Sequence, residues 1–352
     1  MPTSFSFPNE LVDAIIDHNH DDRKTLLATA LVSRQWTRAS RYHVFTEVKI
    51  SHQNAREFLG LLTIQHCTFT AALQSLDIEL VAGSQRWLGE CFRRLLSLER
   101  INISSMALSG PSNTVVRDEA VAAIALHSQE ITRFTVAALV FDSFTSFAGL
   151  LCCFPALQHL SCAATFRTVA PLPGLAFACP LRSLALVSPA IAPVFTFLHA
   201  YNVLPIVTAL TLAQPAVSDF AALAPYLRAP NDSLQTLRIR MDVPFSGVSL
   251  DSLAERFSLA RLTVLRHLVV ETTPRLNPDE AFGLLATAAP EARIETLQIT
   301  VALGQGAAQI DIFLSTDDRF ASLQSVIVLR ASRGEVHEVL PRCDAKNILK
   351  HL

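Results

Sequence analysis

The sequence predicts an α/β protein in which a small helical unit, residues 1–47, precedes a βα solenoid with a parallel sheet, residues 48–352. Three observations carry that expectation. A short apolar phrase recurs from Phe45 onward, amphipathic stretches fill the intervals between its copies, and the residues before it carry three helical stripes of their own.

In the opening segment, Pro8 suits the first position of a helix, and Leu11, Ile15 and Ile16 form an i, i+4, i+5 stripe ending near His18. Asp21 or Asp22 is the expected cap of a second helix carrying Leu26, Leu27, Leu31 and Val32. Trp36 belongs to a third helical stretch reaching about Tyr42. Three helices this short barely cover their own core, so spare apolar surface should pack on something else.

The phrase reads apolar, two others, apolar, one other, apolar. Its copies begin at Phe45, Leu73, Leu98, Ile131, Leu157, Leu181, Val207, Leu234, Leu265, Ile294 and Leu323, a mean spacing near 28 residues. Helices are expected between them at Ala55 to His66, Arg86 to Leu96, Arg117 to His127, Phe144 to Cys153, Val194 to Tyr201, Ala221 to Leu227, Leu250 to Leu259 and Pro278 to Ala288. Strand then helix at this pitch is a solenoid in which each unit buries its apolar face only against its neighbours. The competing architecture is a doubly wound α/β enzyme, which the number of strands and the want of a glycine-rich loop fit poorly.

Composition narrows the function classes. With 29 Lys plus Arg against 31 Asp plus Glu, the net charge is −2, which offers no basic field for nucleic acid or an anionic membrane. Eleven glycines in 352 residues leave little material for phosphate-cradling loops, and no GxGxxG, HExxH, GxSxG or CxxC spacing occurs. No catalytic residue, metal site or cofactor is therefore assigned; His18, His20, Asp21 and Asp22 cluster, but in a turn where such residues collect anyway. Seven cysteines in apolar surroundings read as free buried thiols of a reducing compartment. With neither a secretory signal nor an 18-residue apolar run, the expected location is cytoplasmic or nuclear.

Four blocks near the amino terminus stand in order: Phe7-Pro8-x-Glu10-Leu11-Val12-Asp13-x-Ile15-Ile16-Asp17, Asp21-Asp22-Arg23-Lys24-x-Leu26-Leu27-Ala28, Leu31-Val32-Ser33-Arg34-x-Trp36 and Ser40-Arg41-Tyr42-His43-x-Phe45. They resemble the F-box of fungal F-box proteins, with Phe7 for the usual Leu, Ser33 for the frequent Cys and Asn19 where an apolar residue is commoner. The repeats resemble the irregular leucine-rich repeats that often follow an F-box. They lack the Asn or Cys usual at the ninth position, where Val81, Met106, Leu139, Thr165, Pro189, Pro215, Asp242, Thr273, Ala302 and Ala331 fall, so backbone or water should satisfy the exit turns. The resemblance implies a module that docks on the Skp-family adaptor and through it a cullin, with Phe7, Pro8, Leu11, Ile15, Leu31, Val32 and Trp36 at or supporting that interface. The chain would be the substrate-recognition subunit of a ubiquitin ligase, not an enzyme itself; the alternative is a repeat scaffold that binds the adaptor without promoting degradation.

Strand alternation points positions three, five and seven of each phrase out of the core, onto the concave sheet face. Most of these residues are small. Arg238 and Arg240, flanked by His267, make a basic step suited to an acidic or phosphorylated segment of a target protein, or else are ordinary solvated arginines. Lysine is confined to Lys24, Lys49, Lys346 and Lys350. Freedom from acceptor amines beside a ubiquitin-transferring machine and a plain arginine bias both account for that.

Overall fold

The computed structural model describes residues 8–63, 69–83, 85–98, 102–126, 129–170, 177–202, 206–216, 218–229, 231–241, 258–273, 278–301, 306–329 and 331–350. Contacts divide the chain into two compact units, Met1–Leu157 and Gln158–Leu352.

The first unit begins with α1 (Asn9–His18), α2 (Arg23–Thr29) and α3 (Arg34–Thr46). Pro8 flanks α1 as its cap and is not its first residue. Asp22, and not Asp21, caps α2, accepting from the N–H groups of Lys24 and Thr25. With the Thr25 hydroxyl as the largest cause, these bonds hold the Asp22 carboxyl below its ordinary value. Val12, Ile16, Leu26 and Val44 make the core, and Trp36, Ala39 and Phe45 pack against it. α3 runs four residues beyond its expected end and enters β1 (Glu47–Ser51) with no linker. Phe45 serves both bodies, since its ring also stacks on Phe69 at 4.5 Å between centroids. The helices are thus the end cap of the first repeat and not a tethered bead.

The unit continues through α4 (Ala55–Leu62), β2 (Ser75–Glu79), α5 (Arg86–Leu96), β3 (Ser105–Ser109), β4 (Thr114–Val116), α6 (Asp118–Ala125), β5 (Arg133–Ser143) and α7 (Phe144–Cys152). β1, β2, β3 and β5 are successive parallel neighbours. β4 pairs with the far half of β5, beyond a break at Ala138, whose φ is 57°. Alternation buries Leu76 and Ile78 in β2 and Met106 and Leu108 in β3, as two-residue periodicity requires.

One repeat departs from expectation. The phrase placed at Leu98 starts instead at Ile103, five residues later, so Met106 is a core residue and not a turn residue, and Asn102 precedes the strand; Arg100 lies outside the described residues. Ile103 satisfies the apolar pattern in both registers, so the pattern alone cannot choose. The new start lies 30 residues after Leu73 and 28 before Ile131, which evens the pitch.

The second unit runs β6 (His159–Thr168), β7 (Ser183–Val187), α8 (Ile191–Ala200), β8 (Ala209–Ala213), α9 (Asp219–Arg228), β9 (Thr236–Met241), β10 (His267–Thr272), α10 (Pro278–Ala286), β11 (Thr296–Ile299), α11 (Ala307–Thr316), a 3-10 turn (Asp318–Phe320), β12 (Ser325–Val328), α12 (Arg333–Val339) and α13 (Pro341–Ala345). Its strands are parallel and adjacent in chain order. The helix expected at Leu250 to Leu259 and the turn residues Asp242 and Ala302 lie largely or wholly outside the described residues. At the carboxy end, the Val326 N–H donates to Ile348 and the Lys350 N–H to Val326, so the final segment closes the outer edge of β12.

Backbone atoms replace the missing asparagines. The carbonyl just before each strand accepts two N–H groups from the next repeat: Gln158 takes Arg182 and Ser183, Arg182 takes Thr208 and Ala209, Thr208 takes Gln235 and Thr236. At the exits Leu80 donates to Ser109, Gln214 to Arg240 and Thr273 to Met241. Buried carboxylates also take part: Asp219 accepts from the N–H groups of Ala192 and Ala216, and Asp311 from those of Arg342 and Cys343. Asp219 ties the start of α8 and the loop before α9 to the first residue of α9, and Asp311 ties the start of α13 to the middle of α11.

A further staple joins α10 to the turn before β12. Arg319 holds Asp317 through two bonds of 2.7 Å, donates to the carbonyls of Ala286 and Ala288, and lies 5.1 Å from the Phe313 ring centroid. The side-chain bond from Arg319 is the main reason that the Asp317 carboxyl titrates below its ordinary value. A depressed carboxyl stabilises the fold above its unfolded pKa and loses that contribution as pH falls through the folded value. Asp317→Asn should therefore lower the melting temperature at pH 7, and the gap from wild type should close below about pH 4. A gap that persists through acid unfolding would show that the bond is not a charge effect.

Candidate functional site

Two surfaces collect the residues singled out by sequence. On the three-helix unit, α1 turns Val12 and Ile16 inward and leaves Leu11 and Ile15, one turn apart, at 52% and 41% exposure. α2 buries Leu26 and leaves Leu27 at 51%; the turn that follows holds Leu31 at 87% and Val32 at 66%. The sequence pattern puts Leu11, Ile15 and Ile16 on a stripe of the first helix and Leu26, Leu27, Leu31 and Val32 on a second helix; the structure divides them into a core set and an exposed set and ends α2 at Thr29, ahead of Leu31 and Val32. Leu27 was missed as a surface residue because periodicity marks an apolar face without saying how much of it the unit covers. Pro8 is exposed, Trp36 is half-buried against the core, and Phe7 lies outside the described residues.

The far flank of α1 is polar. Asp13 and Asp17 face Arg34, Arg38 and His43 of α3 across an open groove of about 700 Å³. His43 bonds Asp17 at 2.7 Å, and Gln35 bonds Asn9 at the same distance. The cluster at the α1–α2 turn is internally engaged, with His20 at 3.1 Å from Asp21 and Asp22 capping α2. Among the described residues no three His, Cys, Asp or Glu side chains converge as a metal site would require.

The second surface is the outward face of the strands. In the second unit its floor is low: Ser183, Ala185 and Val187 on β7 lie beside Ala209, Thr211 and Ala213 on β8. Arg238 and Arg240 follow on β9, in register with Val269 and Glu271 of β10. His267 stands beside Thr236, one pair short of the arginines. Val269, expected outward, is only 6% exposed, since it sits between the long side chains of Arg238 and, on β11, Gln298. The basic step is also less basic than the sequence reading had it, because Glu271 lies 3.7 Å from Arg238 and 4.0 Å from Arg240. In the first unit Lys49 and Glu79 pair across β1 and β2 at 3.0 Å.

No disulfide joins the described cysteines Cys91, Cys152, Cys153, Cys162, Cys179 and Cys343. Burial pushes the Cys162 thiol up to about 12, and likewise Cys343, helped there by the Asp311 carboxylate; Cys91 rises to about 11. A nucleophilic cysteine needs the opposite shift, so these three are packing residues. Among the described residues no helix is long and apolar enough to cross a membrane. No protein-family model matches the sequence, nor does any curated protein.

Proposed function

We propose that the chain is a substrate-recognition subunit of a Skp-cullin-F-box ubiquitin ligase. Its helical unit docks on a Skp-family adaptor, and the outward face of its strands captures a target protein. One observation carries the reading. The helices that resemble an F-box leave Leu11, Ile15, Leu27, Leu31 and Val32 uncovered while their own core is complete without them. Apolar side chains gathered on one small unit mark a binding face. Because α3 passes straight into β1, the docked helices would be joined to the first repeat without a flexible linker. Such a subunit contributes proximity, while bond formation belongs to the ubiquitin-conjugating partner.

The test is reconstitution with adaptor, cullin and conjugating enzyme, using a partner captured by the full chain carrying Leu31→Asp, which keeps the helical cap in place. Ubiquitin should pass to that partner only in the presence of the intact chain. Adaptor binding without transfer would favour the scaffold alternative, and absence of adaptor binding would remove both.

A further inference from the structure

Among the described residues β1 has a strand partner on one side only, β2. Pairing in a sheet uses alternate residues. The Thr46 carbonyl accepts from the Gln74 N–H, so the peptide groups of Thr46, Val48 and Ile50 serve β2 and those of Glu47, Lys49 and Ser51 point away from it. Such an outer edge is a template for a further strand. Here Asn54 occupies it. Its side-chain amide donates to the Lys49 carbonyl at 2.9 Å and accepts from the Ser51 N–H at 2.7 Å, and its own N–H donates to the Ser51 carbonyl at 3.2 Å. Asn54 also stands at the cap position of α4, where an asparagine side chain ordinarily accepts from the first turn, yet it makes no bond to that helix. The amide serves the strand edge instead.

We propose that Asn54 is an edge plug that keeps β1 from pairing with β1 of a second copy of the chain. The strand itself points to that occupant. Glu47 and Lys49 are both exposed and lie two residues apart on one face. When two β1 strands meet antiparallel about a twofold axis at Val48, Glu47 of each copy stands opposite Lys49 of the other, with the peptide groups of both directed into the shared ladder. Each such pair exchanges two backbone bonds and sets opposite charges across the strands. Lys49 already pairs with Glu79 of β2 at 3.0 Å, and the arriving Glu47 carboxylate meets the same ammonium from the other side. Half of the acceptors in this ladder are the Lys49 carbonyls, the groups that the Asn54 amide holds. Each copy must therefore break that bond and move the Asn54 side chain before the ladder can close. At β12 the final backbone segment guards the edge; at β1 one side chain does so.

The experiment compares the full chain with Asn54→Ala by sedimentation over a concentration series and by amide exchange. Asn54→Ala frees one acceptor on each copy, so it should dimerise about tenfold or more tightly than wild type. Exchange at the Glu47 and Lys49 amides should slow as its concentration rises, while wild type shows no such dependence. Lys49→Pro added to Asn54→Ala removes an N–H that only the outward ladder uses, and should return the chain to monomer. Asn54→Ser covers the case in which Ala weakens the fold: its hydroxyl suits the cap of α4, but a single atom cannot replace the two-ended amide, so it should dimerise as Ala does. A folded Asn54→Ala or Asn54→Ser that stays monomeric overturns the plug. Association without slowed exchange at Glu47 and Lys49 overturns it too, since the contact then lies on another surface or between unfolded chains. A wild type that already dimerises with those two amides protected would show that Asn54 does not close the edge.

Discussion

Leu31→Asp is expected to abolish co-purification with a Skp-family adaptor, a loss on the order of a hundredfold or more in affinity, while leaving the melting temperature of the chain unchanged within about 2 °C. The two halves of that expectation come from one number: Leu31 is 87% exposed, so the free chain has almost nothing to lose there. Surface substitutions of this kind stay within roughly 0.5 kcal/mol of wild type in stability. In a docked state the same side chain is desolvated, and an aspartate in its place would bury an unpaired charge, which is among the costliest changes an interface can suffer. Leu11→Asp, at 52% exposure, should behave alike. Trp36→Ala is the instructive contrast, because Trp36 packs on the core of Val12, Ile16, Leu26 and Val44; its loss should weaken the adaptor complex through the stability of the helices themselves. Undiminished adaptor binding by Leu31→Asp would place docking elsewhere on the unit.

What could be read from the sequence divides along a physical line. Strand periodicity is a local property, since position four and position six of each phrase must point the same way, and β2, β5 through β12 and the helices Arg86–Leu96 and Phe144–Cys152 fall at or within a few residues of where the pattern puts them. The register of the third strand was not local. Leu98 and Ile103 both begin valid phrases, and only pairing with Ser75–Glu79 on one side and Arg133–Val136 on the other selects the second. The helices α11, α12 and α13 carry weak apolar stripes and were not foreseen; a buried carboxylate, Asp311, holds the start of α13, and a lone Asp in an apolar run has no signature of that role. The same limit applied at the candidate site. Alternation placed Arg238, Arg240 and Glu271 on one face, but only register shows that Glu271 lies within 4.0 Å of both arginines.

Phe134→Ala should destabilise the amino-terminal unit by about 3 to 5 kcal/mol. Phe134 is fully buried in β5, pairs in register with Met106 of β3, and meets the Phe154 ring at 4.9 Å with the planes tilted by 58°. Truncation removes most of an aromatic side chain from a site walled by a strand on one side and the segment after α7 on the other. A rigid strand ladder cannot move in to fill the void, so both the transfer and the cavity contributions should be felt. Phe134→Leu, which keeps much of the volume, should cost far less, under about 1.5 kcal/mol. How the loss spreads is the more informative measurement. In a stack where each repeat touches only its neighbours, stability is a sum of local and interface contributions, so amide exchange should quicken across residues 105–154 while β9 and β10 keep their protection. Equal quickening along the whole chain would mean that the repeats unfold as a single cooperative body. In that case a weakened first unit would also loosen β9 and β10 in the second.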